Sequence, residues 1–233
     1  MWSGPRNLST ALMRSFGSRV DCAVIDEPLY AHYLSTLDPE HRATHPMADE
    51  VIASQPTDWQ GVAANLRGPV PDGKPVWYQK HMAHHLTEGM DLAWIEPFAN
   101  AFLIRDPAEM ITSFIRVIPD PTPEDLGLPQ QVELFRRVGG PVVDSKDILL
   151  DPRGTLSMLC EALGVAFDEA MLSWEPGPRE TDGVWAPHWY ASVENSTGFG
   201  VYRPKNEPVP DRLRGVLDRC NELYAELARS KIA

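Results

Sequence analysis

The residues best suited to chemistry lie near the start of the chain, in the run 3–13 (SGPRNLSTALM). A glycine and a proline predict a turn there, and the residues after them predict a helix. Arg6 supplies a fixed positive charge, while Ser9 and Thr10 place hydroxyl groups where the first helical N–H groups lack partners. We therefore expect an anion at this helix end. The Gly-Lys-Ser/Thr ending of the nucleoside-triphosphate loop is absent, which argues against ATP chemistry.

A second candidate anion site follows the apolar run 101–104, which predicts a strand. Arg105 stands at the end of this strand, and Ser113 lies on the helix predicted to follow. Arginine at a strand end can form paired hydrogen bonds with a phosphate, and a serine further along can add a hydroxyl contact. The alternative is a local ion pair between Arg105 and Asp106 ahead of a helix that begins at Pro107.

Three segments in this order together resemble the sulfotransferase family. The run 3–13 resembles its 5′-phosphosulfate loop, commonly Pro-Lys-Ser-Gly-Thr-Thr, with Arg6 in place of the lysine. The segment with Arg105 and Ser113 resembles its 3′-phosphate site, and residues 142–168 are similar to its strand, acidic turn and Leu-Gly-x-x-Phe helix exit. The resemblance implies an α/β fold, a three-layer sandwich with a mostly parallel central sheet and a P-loop-like phosphate-binding turn.

The resemblance also implies a donor and an activity. The family moves the sulfuryl group of 3′-phosphoadenosine 5′-phosphosulfate to a hydroxyl or an amine without a metal, and we expect a small-molecule acceptor. The residues expected to bind the donor are Arg6, Asn7, Leu8, Ser9, Thr10, Arg105, Ser113, Ser196, Thr197 and Gly198. The last three stand where the family has a Gly-rich loop, but without its basic pair, which Arg203 and Lys205 could replace. A tight surface turn is the alternative for these three residues.

Sulfuryl transfer needs a base, cations that stabilise developing charge, and alignment of the acceptor with the leaving group. Arg6 is assigned electrostatic stabilisation, because arginine does not lose its proton. Glu27 resembles the glutamate base of heparan-type sulfotransferases, and burial would raise its pKa. His81 resembles the histidine base in the Lys-Thr-His segment of the cytosolic aryl and steroid enzymes. We favour Glu27 as the base, with Lys80 as electrostatic helper and His81 as second choice.

Purely structural roles are the alternatives to catalysis for these residues. Glu27 could simply cap a helix that begins at Pro28, and Lys80 could be a surface charge at a strand end. His84 and His85 lie close to His81 in sequence, but neighbouring histidines point in different directions and no nearby carboxylate completes a metal site. We therefore expect no bound metal.

Composition narrows the functional classes. The 233 residues, 43% of them hydrophobic, predict a single domain over 1–233, in which 174–210 is a lid or substrate loop. A net charge of −12 disfavours nucleic acid as a partner. Three widely spaced cysteines, no leader and no long apolar stretch favour the cytoplasm over secretion or a membrane. The sequence carries no signal for the oligomeric state.

Apolar patterning predicts the elements that hold these residues. Strands are expected at 22–25, 76–79, 101–104 and 141–143, and helices near 8–16, 108–117, 129–138, 155–163 and 211–229. The family's phosphate turn follows a buried strand, yet only Met1 and Trp2 precede Ser3. Either that strand is a stub, or the chain begins downstream of the true start.

Two other functions compete with sulfuryl transfer. One is a non-catalytic nucleotide-binding or regulatory protein of the same fold, which would bind the donor without transferring anything. The other is a small kinase-like phosphotransferase, for which magnesium dependence would be diagnostic.

Overall fold

A computed structural model describes residues 1–205 and 207–232. Asn206, which falls in the predicted lid 174–210, and Ala233 lie outside the described residues. The strands are β1 (Trp2–Ser3), β2 (Cys22–Asp26), β3 (Val76–Met82), β4 (Phe102–Ile104) and β5 (Val142–Asp144). The helices are α1 (Ser9–Gly17), α2 (Tyr30–Thr36), α3 (Pro39–Arg42), α4 (Ala48–Ser54), α5 (Trp59–Leu66), α6 (Pro107–Phe114), α7 (Leu128–Val138), α8 (Ser145–Leu150), α9 (Pro152–Ala162), α10 (Ala186–Trp189), α11 (Ala191–Glu194) and α12 (Arg214–Ala228).

The chain divides into two compact units. The first unit contains Met1–Ser9, Phe98–Phe167 and the described residues from Phe199 onward, and the second contains Thr10–Pro97 and Asp168–Gly198. Every strand pair within either unit is parallel, and helices alternate with strands along the chain. The predicted α/β fold with a parallel sheet is confirmed.

The first unit is built around β4, which pairs with β1 on one side and β5 on the other. Its three residues, Phe102 to Ile104, are fully buried, as expected for an apolar strand covered on both faces. The strand expected before the phosphate turn is present as a stub, the two-residue β1, in which Trp2 is paired with Phe102. Trp2 Nε1 donates a 2.8 Å hydrogen bond to Asn100 Oδ1, which satisfies the one polar group of this buried side chain.

The second unit is built around β2 and β3, whose register places Asp26 beside Lys80. A buried aromatic cluster lies next to these strands and includes Tyr30, Tyr33, Trp185 and Tyr190. The predicted lid is therefore partly structured, because Trp185 and Tyr190 flank the one-turn helix α10. Of the described helices, none is long and apolar enough to cross a membrane.

A buried ion pair within the second unit connects α1 to the segment that precedes α10. Both terminal nitrogens of Arg14 donate 2.6 Å hydrogen bonds to the carboxylate of Asp182. The two side chains are only 3% and 5% exposed. Paired hydrogen bonds of this kind between arginine and a carboxylate fix the orientation of both groups.

Substitution of Gly4 tests how closely the first turn packs against the rest of the first unit. A β-carbon at this position would overlap the backbone carbonyl oxygen of Leu126. We expect Gly4→Ala to lower the free energy of unfolding by about 1–3 kcal/mol in urea denaturation, because the backbone must shift. The matched control is Gly215→Ala in α12, where no atom beyond the nearby helix backbone lies within 4 Å of the added carbon and the free energy should stay level or rise. Equal effects of the two changes would contradict the close approach at Gly4.

Candidate functional site

The phosphate-binding turn has an unusual backbone. Arg6 and Leu8 adopt positive φ angles of 63° and 70°, whereas Asn7 between them does not. Such an alternation of handedness turns successive N–H groups toward one side and forms a concave anion site, often called a nest. Leu8 stands where the family pattern has glycine, so the chain adopts the left-handed conformation here at a cost of about 1–2 kcal/mol. A strained backbone at this position is consistent with a binding role.

Buried contacts hold the turn in this conformation. Asn7 is fully buried, and its Nδ2 donates to the carbonyl oxygen of Leu103 over 3.3 Å. Ser145 Oγ donates to the carbonyl oxygen of Asn7 over 2.7 Å. Asn7 Oδ1 is buried and forms no hydrogen bond with any described residue. An unsatisfied polar atom of this kind in the turn is one that a bound group or a water could satisfy.

Three residues predicted to bind the donor contact one another in the first unit. Arg6 Nε donates to Ser113 Oγ over 3.0 Å, and Arg105 donates from a terminal nitrogen to the carbonyl oxygen of Arg6 over 2.6 Å. The sequence analysis placed Arg6 and Ser113 at the two ends of the donor, so their direct contact is new information. Of the other predicted residues in this unit, Ser9 is buried at the start of α1.

Arg105 also forms an ion pair that the sequence analysis did not consider. Its Nε and a terminal nitrogen donate to Glu109 Oε2 at 3.1 and 2.9 Å, and Tyr202 OH donates to Glu109 Oε1 over 2.9 Å. Burial alone would raise the pKa of Glu109, but the hydrogen bonds from Arg105 and Tyr202 outweigh it and lower the pKa. The alternative pair with Asp106 is not what the structure has, because Asp106 instead caps α6 through the N–H groups of Ala108 and Glu109.

Positive charge accumulates around this part of the first unit. Burial lowers the pKa of Arg6, and repulsion from Arg105 and Arg116 lowers it further. Lys205 shows the same pattern, with burial as the larger cause and the same two arginines next. These cations form a locally positive region in a chain of net charge −12, and such a region favours binding of an anion.

Ser196, Thr197 and Gly198 belong to the second unit, where they take part in local structure. Gly198 forms an antiparallel bridge with Ser173, and the carbonyl oxygen of Thr197 accepts from the N–H of Trp174 over 3.1 Å. Ser196 Oγ accepts from Trp174 Nε1 over 3.1 Å. Thr10 is also in the second unit, within α1. The donor-binding role of these residues stays a prediction.

A charged cluster lies at the carboxyl ends of β2 and β3. Lys80 is fully buried, and its Nζ donates to Asp26 Oδ1 at 2.8 Å and to Glu27 Oε1 at 2.6 Å. It also donates to Tyr190 OH at 2.7 Å. That hydroxyl accepts from Trp185 Nε1 and donates to Asp26 Oδ2 over 2.6 Å. Lys80 is therefore not a surface charge, and its ammonium group has a partner for each of its three protons.

The cluster sets the protonation of its members. Burial alone would lower the pKa of Lys80, but the carboxylates of Asp26 and Glu27 outweigh it and raise the pKa, so Lys80 stays charged. Burial raises the pKa of Glu27, and the charge of Lys80 only partly opposes this shift. Glu27 also has a positive φ of 41°, which marks a strained residue directly after β2. A carboxylate with a raised pKa is suited to general base catalysis.

His81 does not share this cluster. Successive side chains of a strand point to opposite faces, so Lys80 and His81 face different sides of β3. His81 Nε2 lies 3.3 Å from Gln79 Oε1, and burial lowers the pKa of His81 well below 6.5. Its proposed role as the alternative base stays a prediction, although the geometry favours Glu27.

His84 and His85 lie in a short helical turn directly after β3. Both are buried, and the His85 ring stacks on Tyr30 and Tyr33 at centroid distances of 4.7 and 5.0 Å. Within 1–205 and 207–232, no group of three or more histidine, cysteine or acidic side chains is arranged to hold a metal ion.

Comparisons with known proteins agree with this architecture. A family profile described as a sulfotransferase domain matches residues 1–228. Branched-chain-amino-acid aminotransferase-like proteins 1 and 2 of Arabidopsis thaliana are 35% and 33% identical to 96% of this chain. This chain spans only 40% of the length of either plant protein. The sulfotransferase domain of the Synechococcus PCC 7002 olefin synthase shares the fold, with a TM-score of 0.56 over 96% of this chain and 92% of that domain at 20% identity.

The fold and the match over nearly the whole chain define a class of protein. The chain belongs to the sulfotransferase-domain family. The resemblance inferred from the three sequence segments is confirmed.

Several residues of the candidate site were missed by the sequence analysis. Glu109 could have been predicted, because it lies in the first turn of the predicted helix 108–117, only four residues after the cation Arg105. Asp26 could also have been predicted, since it directly precedes Glu27 at a strand end. No sequence signal linked Tyr190 and Trp185 to the site, because they lie more than 100 residues from Lys80 in sequence.

Tyr190 provides the sharpest test of the charged cluster. We expect Tyr190→Phe to lower the free energy of unfolding by about 1–3 kcal/mol, because Lys80, Asp26 and Trp185 each lose a buried hydrogen-bond partner. The matched control is Tyr78→Phe, since Tyr78 OH is buried and forms no hydrogen bond with the described residues. Urea denaturation should show that Tyr78→Phe is neutral or stabilising. A neutral Tyr190→Phe would mean that the cluster does not depend on this hydroxyl.

Proposed function

We propose that this protein transfers the sulfuryl group of 3′-phosphoadenosine 5′-phosphosulfate to a hydroxyl or an amine of a small molecule. The observation that carries the proposal is the buried Glu27 of the second unit, whose pKa is raised by burial and whose carboxylate is held by Lys80. Membership of the sulfotransferase-domain family supports the reaction class. The donor and the acceptor class are parts of the proposal.

The residues of the first unit fit a bisphosphate donor. The backbone of the turn at Arg6 and Leu8 has the alternating handedness of an anion-binding nest, while Arg6, Arg105 and Lys205 supply positive charge. When bound, the donor supplies the sulfuryl group and an adenosine bisphosphate leaving group. In the proposal, Arg6 stabilises the negative charge that develops on the 5′-phosphate as the bond to sulfur breaks.

Glu27 acts as the general base in this proposal and accepts the proton of the acceptor. Lys80 holds the Glu27 carboxylate through Oε1, and Asp26 and Tyr190 hold Lys80. The role we assign to Lys80 is therefore to keep Glu27 oriented and ionised. His81 remains the alternative base.

The remaining parts of the proposal concern partners and location. The net charge of −12 disfavours polyanionic acceptors, so we propose a small molecule and neither nucleic acid nor a membrane as partner. We place the protein in the cytoplasm because its sequence has neither a disulfide framework nor paired metal-ligand spacing among its cysteines.

Donor binding gives one test of the proposed function. We expect Arg6→Ala and Arg105→Ala each to weaken binding of adenosine 3′,5′-bisphosphate by about 1.5–3 kcal/mol in calorimetric titration, because each removes charged hydrogen bonds. Arg219→Ala is the control, since Arg219 is exposed and pairs with Glu222 on α12. Unchanged affinity in both site variants would overturn the donor site. Tighter binding of magnesium ATP would instead favour a kinase-like phosphotransferase.

Base catalysis gives another test of the proposed function. Glu27→Gln should abolish release of adenosine 3′,5′-bisphosphate from the donor in an acceptor screen, while leaving donor affinity nearly unchanged. The wild-type rate should fall as the pH drops through the Glu27 pKa, because only the carboxylate accepts a proton. Since burial raises that pKa, the fall should begin above the value of about 4.3 for an exposed glutamate.

The control for Glu27→Gln is Glu222→Gln on the exposed face of α12, which should leave the rate unchanged. If the Glu27→Gln variant is fully active, Glu27 is not the base and the role is assigned to His81. Donor binding by the wild type without turnover on any acceptor would favour the non-catalytic alternative.

A further inference from the structure

His85 is an unusual buried side chain. It is 1% exposed, and neither ring nitrogen forms a hydrogen bond with any described residue. A buried imidazole usually has a partner for at least one nitrogen, because a buried polar group without a hydrogen bond destabilises the folded state. The Tyr30 ring stacks almost parallel to the His85 ring, with 8° between the planes. The imidazole is thus fixed in orientation, while its polar atoms are left available.

One of these nitrogens faces the proposed base. His85 Nε2 lies 4.0 Å from Glu27 Oε2, which is too far for a hydrogen bond between them. Glu27 Oε1 is taken by Lys80, so Oε2 is the oxygen available to accept a proton. The Glu27 side chain keeps 9% of its surface exposed. An oxygen atom placed about 2.8 Å from each atom would bridge the two, since both distances are those of ordinary hydrogen bonds.

The protonation of the two groups suits a hydroxyl between them. Burial lowers the pKa of His85 well below 6.5, so the ring is neutral at pH 7 and carries one N–H. A neutral imidazole can donate through Nε2, and a carboxylate can only accept. A hydroxyl oxygen accepts one hydrogen bond while its proton donates another. An ammonium group cannot do both, because it has no acceptor site.

We propose that Glu27 Oε2 and His85 Nε2 together bind the acceptor hydroxyl. This inference rests on the proposed function. In the reaction, the hydroxyl proton moves to Glu27 Oε2 as the oxygen forms a bond to sulfur. The bond between sulfur and the bridging oxygen breaks, and its electron pair stays on the 5′-phosphate of the leaving adenosine bisphosphate. His85 keeps its proton throughout and positions the attacking oxygen.

The surroundings of His85 indicate the class of acceptor. Tyr30 and Tyr33 stack on the His85 ring, and the Trp185 ring meets the Tyr30 ring edge-on at 5.2 Å. These rings offer apolar and polarisable surface but no charge. We therefore assign an uncharged alcohol or phenol on an aromatic or apolar body, in preference to an amine that is protonated at pH 7.

Two substitutions separate a hydrogen-bonding role for His85 from a packing role. His85→Gln keeps an N–H donor at about the reach of Nε2 but loses the ring, whereas His85→Phe keeps the stacked ring and loses the donor. With 2-naphthol as acceptor, the inference predicts that His85→Phe raises KM by about tenfold or more, the size expected for one lost hydrogen bond, and that His85→Gln raises it less. Donor affinity should be unchanged in both variants. His188→Phe, at an exposed histidine, is the surface control.

Failure of the His85 role and failure of the proposed function give different experimental results. A lower KM for His85→Phe than for His85→Gln would show that packing alone matters, and would overturn the role of His85. If the variants do not fold, ¹⁵N NMR of the wild type decides: 2-naphthol added with adenosine 3′,5′-bisphosphate should shift the ring nitrogens of His85. Absence of that shift overturns the inference. Failure of the wild type to bind the bisphosphate at all overturns the proposed function, and this inference with it.

Discussion

The buried ammonium group of Lys80 sets the strictest constraint on the second unit. Removing an ion from water costs several kcal/mol even after the protein relaxes, unless partners replace the lost hydration. Asp26, Glu27 and Tyr190 provide that replacement, so the register of β2 against β3 and the burial of Tyr190 follow from the need to satisfy one charge. Trp185 is then fixed by its hydrogen bond to the same tyrosine hydroxyl. The position of Glu27 is in this sense a consequence of Lys80.

The first unit differs from the second, because several of its cations lie close enough to repel one another. Glu109 occupies one face of Arg105, yet the pKa values of Arg6 and Lys205 still register repulsion from neighbouring arginines. A bound anion would relieve this repulsion. The strained conformations of Arg6 and Leu8 fit the same picture, since a turn held in shape beforehand loses little further entropy when it binds.

The sequence predicted those parts of the molecule that depend on local pattern. Apolar runs located β2, β4 and β5, and the turn at Arg6 and the charges after the strands were found in chain order. The expected strand 76–79 ends at Gln79, whereas β3 continues through Lys80 to Met82. Charged side chains are rarely buried unless they are paired. Here Lys80 stays buried since partners from distant parts of the chain neutralise it. The helices between Tyr30 and Leu66 were also missed, since they are short and stabilised by tertiary packing.

The contacts that hold the segment 174–198 in place affect how easily a protease cleaves the native protein. Its proline- and glycine-rich composition suggests an exposed loop that is easily cut. The Arg14–Asp182 ion pair and the buried side chains of Trp185 and Tyr190 hold this stretch against the second unit from within. Cleavage near these residues requires that the ion pair break and that Lys80 lose a partner, so a nick there reports opening of the core. The rate of limited proteolysis at this segment is thus a measure of how often the buried charge of the second unit is exposed to water.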